Sequence, residues 1–217
     1  MGAIADEGPR SQRPRHTPTG ASLIVLICLG VTVAGILILH LVRRDLDPLQ
    51  DVMSHYANGP NGPLMSIVFY AFGVSAIAMG VRLRSGIDRR GVTRPVPWLL
   101  VLAGSSLLVA GVFEVDRPTD PETAGEVIHS NTAVAAFLLL VGAMVLFAIA
   151  CRHDERWSSM RWTSLGLAVI AAGAAVATQL GRGAGTAGGM QRLLAGAVLV
   201  WLVLVAMHVR RASFDAP

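Results

Sequence analysis

The sequence predicts an all-α integral membrane protein, a six-helix bundle with both termini in the cytoplasm. Hydrophobic residues make up 53% of the chain and charged residues 15%, whereas a soluble domain carries about 25% charged residues. The apolar residues fall into six runs, each close to the ~17–25 residues that a helix needs to cross a bilayer. Arginines cluster between alternate runs, and this asymmetry predicts the orientation.

The six apolar runs define one membrane domain, residues 21–210, between two polar tails. The spans are predicted at about 22–42, 64–84, 97–115, 129–151, 161–180 and 190–209. Residues 1–20 are polar and rich in Pro and Arg, which is typical of a disordered tail. Residues 211–217 are predicted to form a second cytoplasmic tail.

Small and aromatic residues add detail to the predicted bundle. Gly166 and Gly173 lie in an alanine-rich fifth run, and small residues let helices pack closely in lipid. Trp98, Trp162 and Trp201 lie near the ends of runs or just inside them, where Trp usually anchors a helix at the membrane interface. We therefore expect close packing around the fifth helix and interfacial positions for the three tryptophans.

The distribution of charge predicts which connections lie outside the cell. Thirteen of the 18 arginines lie in the N-terminal tail, the second and fourth connections and the C-terminal tail. Positive residues stay on the cytoplasmic side, so the other three connections, with eight of the 14 acidic residues, are predicted outside. The chain is expected to be a multi-pass protein of the cell membrane. Because its arginines flank apolar runs, no nucleic acid is expected among its partners.

The first outer segment, between the first and second runs, carries helix signals. Asp47 is a suitable N-cap, Pro48 suits the first helical position, and Gln50 stands where a capping box needs it. Asn58 and Gly59, followed by Pro, form a helix stop. These signals predict a helix of two to three turns.

Four polar side chains on that predicted helix are candidates for a functional site. Asp51, Ser54 and His55 have the i, i+3, i+4 spacing that places them on one helical face, with Tyr56 beside them. A carboxylate that orients an imidazole next to a hydroxyl favours chemistry. The alternative is a capped interfacial helix whose polar face is solvated.

Three further residues are predicted at the same membrane level. Glu114 and Asp116 end the third run and His129 begins the fourth. Asp51, Asp116 and His129, together with His55, include ligand types that zinc accepts, so a divalent metal is one hypothesis, although no HExxH or CxxC motif is present. Alternatively, Asp116 caps a loop or pairs with an arginine. The candidates for such a pair are Arg117, Arg182 and Arg192.

Two arginines flank a glycine-rich connection between the fifth and sixth runs. Arg182 and Arg192 could form a cationic patch for a lipid headgroup or phosphate. The alternative is a flexible hairpin in which they pair with acids of the first or third connection, and we expect such pairing. Gln179 is close enough to this level to join the site. No charged residue lies in the middle of a run, which argues against a transporter with a midplane site.

Several segments resemble a known family. Residues 51–62 resemble the D-x-x-S-x-Y-x-x-G-x-x-G signature of DUF998, a family of bacterial and archaeal membrane proteins. Residues 111–116 resemble its G-x-F-x-x-D, His129 its histidine at the start of the fourth span, and residues 189–192 its G-x-x-R. The resemblance implies a site formed by Asp51, Ser54, Tyr56, Asp116, His129 and Arg192. It places His55 at a variable position, and it extends distantly to the Frag1/DRAM/Sfk1 group, which concerns lipid organisation and anchors.

Two functions are consistent with these residues. In the first, an outer polar pocket binds a lipid headgroup or a membrane partner protein without catalysis. In the second, the protein is an intramembrane lipid hydrolase or transferase that works with or without a metal. Asp51, Asp116 and His129 then bind the metal or act as acid and base, Ser54 or water is the nucleophile, and Arg192 holds a phosphate. The absence of a recognised catalytic motif favours the first function.

Overall fold

The computed structural model describes residues 19–86, 94–113, 115–116, 121–152 and 155–214, and within these ranges the chain is all-α without strands. The α-helices are α1 Thr19–Val42, α2 Gly62–Gly86, α3 Val96–Val112, α4 Ala124–Ala150, α5 Met160–Leu180 and α6 Ala187–Phe214. Short 3-10 helices lie at Met53–Ala57 and Glu155–Trp157. The segment between α1 and α2, residues 43–61, is called the first loop below.

The helices pack in chain order, and the last returns to the first. Each helix contacts the next along the chain, and α6 also packs on α1. Neighbouring helices are antiparallel: the start of α6 contacts the end of α1, and the start of α4 contacts the end of α3. The buried core runs through all six helices, and Trp201, Phe147 and Leu140 are among its largest buried side chains.

Five of the described helices are long and apolar enough to cross a membrane, which makes the chain a multi-span membrane protein. The shorter apolar helix is α3, with 17 residues, and it corresponds to the run that was predicted shortest. The predicted spans agree with the helices except at some ends: α4 begins five residues before the predicted 129. Helix α6 continues to Phe214, so residues 211–214 of the predicted second tail are helical. Residues 1–18 of the predicted first tail lie outside the described residues.

Close helix packing occurs at glycines other than the predicted ones. A Cβ on Gly73 would lie 2.8 Å from the Gly104 carbonyl oxygen, and a Cβ on Gly104 would overlap the Gly73 carbonyl oxygen, so α2 and α3 touch backbone to backbone there. Gly166 and Gly173 of α5 have open space where a Cβ would be. These two glycines therefore make no close contact within this chain, whereas Ala171 and Ala174 of the same helix are buried.

The three tryptophans divide into two groups. Trp98 and Trp162 are exposed and stack under Arg84 and Arg161, as expected for interfacial anchors. Trp201 is fully buried, and its indole N–H donates to the Ser164 hydroxyl at 3.0 Å. The interfacial prediction is wrong for Trp201 because it lies on the face of α6 that packs on α5.

Candidate functional site

One end of the bundle gathers nearly all the predicted site residues. It consists of the first loop, the C-terminal ends of α1, α3 and α5 and the N-terminal ends of α2, α4 and α6, and it is called the polar end below. Long-range hydrogen bonds hold it together: the Gly189 amide donates to the Leu49 carbonyl at 2.9 Å, and the Asn58 side chain donates to the Asp116 carbonyl at 3.3 Å.

The first loop does not form the predicted helix of two to three turns. Its first half is a single turn in which the Asp51 amide donates to the Asp47 carbonyl, while the Asp47 amide donates to the Asp51 carboxylate, both at 2.8 Å. Val52 is extended, and only Met53–Ala57 are helical, as a 3-10 turn. Asp side chains that bond nearby amides stabilise such turns against a helix. The predicted proximity of Asp51 and His55 remains, with 3.4 Å between Oδ1 and Nδ1.

Arg192 ties the first loop to α1 and α6. Its Nε donates to His40 Nε2 at 2.8 Å, and its Nη2 donates to the Tyr56 hydroxyl at 2.9 Å. Its Nη1 donates to the carbonyls of Asp51 at 2.7 Å and Gly188 at 3.0 Å. All four acceptors are uncharged groups, so the expected pairing of Arg192 with an acid is wrong. Arg182 is likewise in no ion pair within the described residues.

Arg43 forms a second brace on the same loop. Its Nη1 donates to the Tyr56 carbonyl at 3.2 Å and to the Asn58 carbonyl. Its Nε and Nη2 donate to the Asp45 carboxylate at 2.8–3.2 Å. The hydrogen bond from Arg43 lowers the pKa of Asp45, and the same bond raises the pKa of Arg43. Arg43 is buried and Asp45 is exposed, so the arginine is the structural member of the pair.

Asp116 organises the start of α4. Its carboxylate accepts from the Thr123 amide at 2.6 Å and from the Thr123 hydroxyl at 3.1 Å. Thr123 is the N-cap of α4 and accepts from the Glu126 amide, while the Glu126 carboxylate accepts from the Asp116 amide at 3.0 Å. This network matches the loop-capping alternative for Asp116. Glu114 and Arg117 lie outside the described residues.

His129 closes the C-terminal end of α3 from the neighbouring helix. Its Nδ1 lies 2.7 Å from the Ala110 carbonyl oxygen, one of the last-turn carbonyls that lack a partner within the helix. Tyr70 does the same from α2, donating to the Gly111 carbonyl at 3.1 Å. The His129 ring is buried against the Phe69 ring, and its Nε2 has no hydrogen-bond partner.

A cavity of about 590 Å³ opens beside His129, within the usual size range of small-molecule sites, about 300–1,000 Å³. Its polar lining comes from the first loop and from the helix ends: Gln50, Ser54, His55, Glu122, Glu126, Ser130, Gln179, Arg182 and Gln191. Its apolar lining comes from deeper turns of the bundle, including Ile36, Met65, Val68, Phe72, Ala133, Phe137, Ala175, Leu194 and Leu199. The cavity is therefore polar at its mouth and apolar in its depth.

The cavity also reaches the outer surface of the bundle between α4 and α5. Leu138 of α4 and Val176 of α5 both line it, yet they are 62% and 61% exposed. In a multi-span protein such exposed apolar side chains face lipid. The cavity lining thus combines polar side chains at the polar end with exposed apolar side chains between α4 and α5.

The structure divides the predicted site residues between two places. Ser54, His55, His129, Gln179 and Arg182 line the cavity. The other members support the structure beside it: Tyr56 and the Asp51 carbonyl hold Arg192, and Asp116 holds the start of α4. Asp51, Asp116 and His129 do not come together, and in the described part of the chain no three His, Cys, Asp or Glu side chains are grouped to hold a metal ion.

Sequence reasoning overlooked several residues of the polar end. His40 accepts the Arg192 hydrogen bond, Gln191 accepts from the Met53 amide at 2.6 Å, and Glu126 joins Asp116 to α4. Each lies at the same membrane level as the predicted candidates, which was the one signal that could have identified them. Their partners, 10 to 152 residues away in the sequence, could not be predicted from spacing.

These helices and this polar end define a multi-span α-helical membrane protein with a cavity at one end of its bundle. The chain belongs to the DUF998 family, which carries the description "protein of unknown function". The model of this family matches residues 26–208. The match includes all the segments from which the resemblance was predicted. No curated protein and no solved structure matches the chain.

Proposed function

We propose that the protein binds a single membrane lipid, with the hydrocarbon chain in the apolar depth of the cavity and the head at its polar mouth. The observation that carries this proposal is the graded lining along α4. From Glu126 through Ser130 to Ala133, Phe137 and Leu138, lining residues change from charged to apolar over about 18 Å of helix. An amphiphile has the same gradient along its length.

The polar and apolar parts of the lining suit such a ligand. A lipid already in the bilayer can pass its chain between α4 and α5, where Leu138 and Val176 form an apolar rim. Its head then lies among the hydrogen-bonding side chains of the mouth, without crossing the hydrocarbon layer. Arg182 is exposed at that mouth, and an arginine fork suits a phosphate or other acceptor on the head.

The polar end is proposed to face outside the cell, with six membrane crossings and both termini inside. The arginine distribution supports this orientation. It is an orientation in which the mouth meets the outer leaflet, so the ligand is an outer-leaflet lipid. The distant similarity to the Frag1/DRAM/Sfk1 group stays a prediction, and its lipid-related roles agree with this proposal.

Filling the cavity tests the proposal. Ala175→Trp and Ala133→Trp place indole rings in the lining, whereas Ala172→Trp adds the same ring to the exposed face of α5. Native mass spectrometry of detergent-purified protein measures the fraction of molecules that retain a lipid. We expect retention by the native protein and Ala172→Trp and its loss in the two lining variants.

The thermal unfolding midpoint of each variant separates blocked binding from misfolding. Folded Ala175→Trp and Ala133→Trp proteins that retain as much lipid as Ala172→Trp would show that the lipid lies elsewhere on the bundle. A native protein that neither retains nor rebinds any lipid from a membrane extract would also contradict the proposal.

A further inference from the structure

The apolar part of the cavity has the same depth on two helices. On α4 the deepest polar lining residue is Ser130, and the deepest lining residue of any kind is Leu138. On α6 the corresponding residues are Gln191 and Leu199. The two residues of each pair are eight positions apart, so the apolar part extends over about 12 Å of either helix.

Packed side chains close the cavity below this depth. Phe72 of α2 lines it together with Leu199 and is only 5% exposed. Within the next turn of α2, α4 and α6, away from the polar end, Ala76, Leu140 and Leu202 have no exposed surface at all. No room for even a water molecule therefore remains beside these three side chains. A hydrocarbon chain that enters from the polar end stops at the level of Phe72 and Leu199.

The apolar depth is smaller than one leaflet of a membrane. The hydrocarbon core of a bilayer is about 30 Å thick, so the chains of each leaflet extend over about 15 Å. The head of a bound lipid lies at or above the level of Ser130 and Gln191, where the polar lining ends. About 12 Å of helix then remain for its chain, which is roughly four-fifths of a leaflet.

We infer that the cavity selects its lipid by chain length and prefers a lauroyl or myristoyl chain to a palmitoyl or stearoyl chain. This inference rests on the proposed lipid-binding function. It names the ligand class as an amphiphile whose chain is shorter than those that fill a leaflet. Phe72 and Leu199 set the length limit, because they are the side chains that the end of the bound chain meets.

Chains on either side of the preferred length are expected to bind more weakly. A shorter chain leaves apolar space empty, and the cost of such space in protein cores corresponds to about threefold weaker binding per missing methylene. A longer chain overpacks the closed end, which corresponds to at least about fivefold weaker binding. Both effects arise from packing, so they persist when the competing environment is an apolar detergent micelle.

A series of probes with one head and different chains tests the inference. Delipidated protein in detergent is mixed with equal amounts of decanoyl, lauroyl, myristoyl, palmitoyl and stearoyl lysophosphatidylcholine. Native mass spectrometry measures how much of each probe is bound, and the common head group makes the chain the only difference. We expect the largest bound fraction for the lauroyl or myristoyl probe, and at least about fivefold less of the stearoyl probe.

Variants of α6 connect the preference to the closed end. Leu199→Ala deepens the cavity, so we expect the preferred chain to become longer. Ala195 lines the cavity one turn nearer the mouth and is 3% exposed, so Ala195→Leu should shift the preference toward the decanoyl probe. Val200→Ala is the matched control, because Val200 is 49% exposed and does not line the cavity. Opposite shifts in the two lining variants could not result from a general loosening of the bundle.

The outcomes are distinct for the two proposals. Equal binding of the lauroyl to stearoyl probes by the native protein overturns the length inference and leaves lipid binding intact. In that case the longer chains leave the cavity between α4 and α5, past Leu138 and Val176. A maximum at the stearoyl probe also overturns the inference. If none of the probes binds and no lipid is retained, the proposed function itself fails. The profile of the native protein decides even if Leu199→Ala does not fold.

Discussion

Arg192 shows how one residue organises the polar end through uncharged partners. Its guanidinium donates to two backbone carbonyls, an imidazole nitrogen and a phenol hydroxyl, and it lies 5.4 Å from the centre of the Tyr56 ring. A planar fork with five N–H groups can serve several acceptors at fixed angles, which a lysine ammonium cannot. This geometry gives Arg192 a structural role at the G-x-x-R segment.

Removing the Arg192 fork is expected to destabilise the protein. In Arg192→Gln the acceptors on His40, Tyr56 and Asp51 lose their donors, with an expected loss of about 1–3 kcal/mol in the free energy of unfolding. Arg182→Gln is the matched control, since Arg182 is exposed and has no hydrogen bond in the described structure. Thermal unfolding in detergent compares the two variants. Similar midpoints would contradict the bracing role of Arg192.

The pair of Arg43 and Asp45 predicts a dependence of stability on pH. Arg43 lowers the pKa of Asp45 in the folded protein, so folding is favoured above the unfolded pKa of Asp, about 3.9. This contribution disappears as the pH falls through the folded pKa. Asp45→Asn should therefore lower the unfolding midpoint at pH 7 slightly, since Asp45 is exposed, and should lower it less at pH 3, where part of this contribution is lost.

The Arg43→Gln background is the control for this pair. Once the arginine is replaced, the effect of Asp45→Asn should differ less between the two pH values, because the largest cause of the lowered pKa of Asp45 is gone. The measurement is the difference in thermal midpoint between each variant and its parent at pH 7 and pH 3. A pH-dependent difference that persists without Arg43 would assign the effect to another partner of Asp45.

At the scale of an element, the first loop shows where local signals mislead. The pattern of a helix start is present at Asp47, Pro48 and Gln50. The chain nevertheless forms only a single turn, which ends at the extended residue Val52. Contacts from α6 end the helical turn. The Gln191 side chain accepts a hydrogen bond from the Met53 amide, and Arg192 donates one to the Asp51 carbonyl. These partners are 138 and 141 residues away, so no local pattern could predict that they would replace helical hydrogen bonds.

The contact between the first loop and α6 depends on a glycine. A Cβ on Gly188 would overlap the Asp51 carbonyl oxygen, whereas Gly196 in the same helix has open space. Gly188→Ala should force the loop away from α6 and lower stability. Gly196→Ala should be neutral or slightly stabilising, because Ala favours a helix over Gly. The thermal unfolding midpoints of the two variants test this expectation. Equal midpoints would show that the first loop moves away from α6 without loss of stability.

At the scale of the whole molecule, hydropathy predicts the helices because the bilayer sets their length. The same argument cannot place side chains around the bundle. Ser54 and His129 meet one cavity while Asp51 and Asp116 do not, although all four were predicted at one membrane level. Which face of each helix looks inward depends on packing, such as the contact of Gly73 with Gly104. The level of the site was therefore predictable, and its division into cavity and bracing residues was not.

The orientation of the molecule decides which leaflet would supply the proposed lipid. Gly183 lies in the α5–α6 connection at the polar end, and Ser159 lies at the opposite end before α5, and both are exposed. In a background with Cys28 and Cys151 replaced by Ser, a membrane-impermeant maleimide should label Gly183→Cys in intact cells. It should label Ser159→Cys only after lysis, because the arginine distribution predicts that this end lies inside. The reverse labelling pattern would place the cavity mouth in the cytoplasm and its ligand in the inner leaflet.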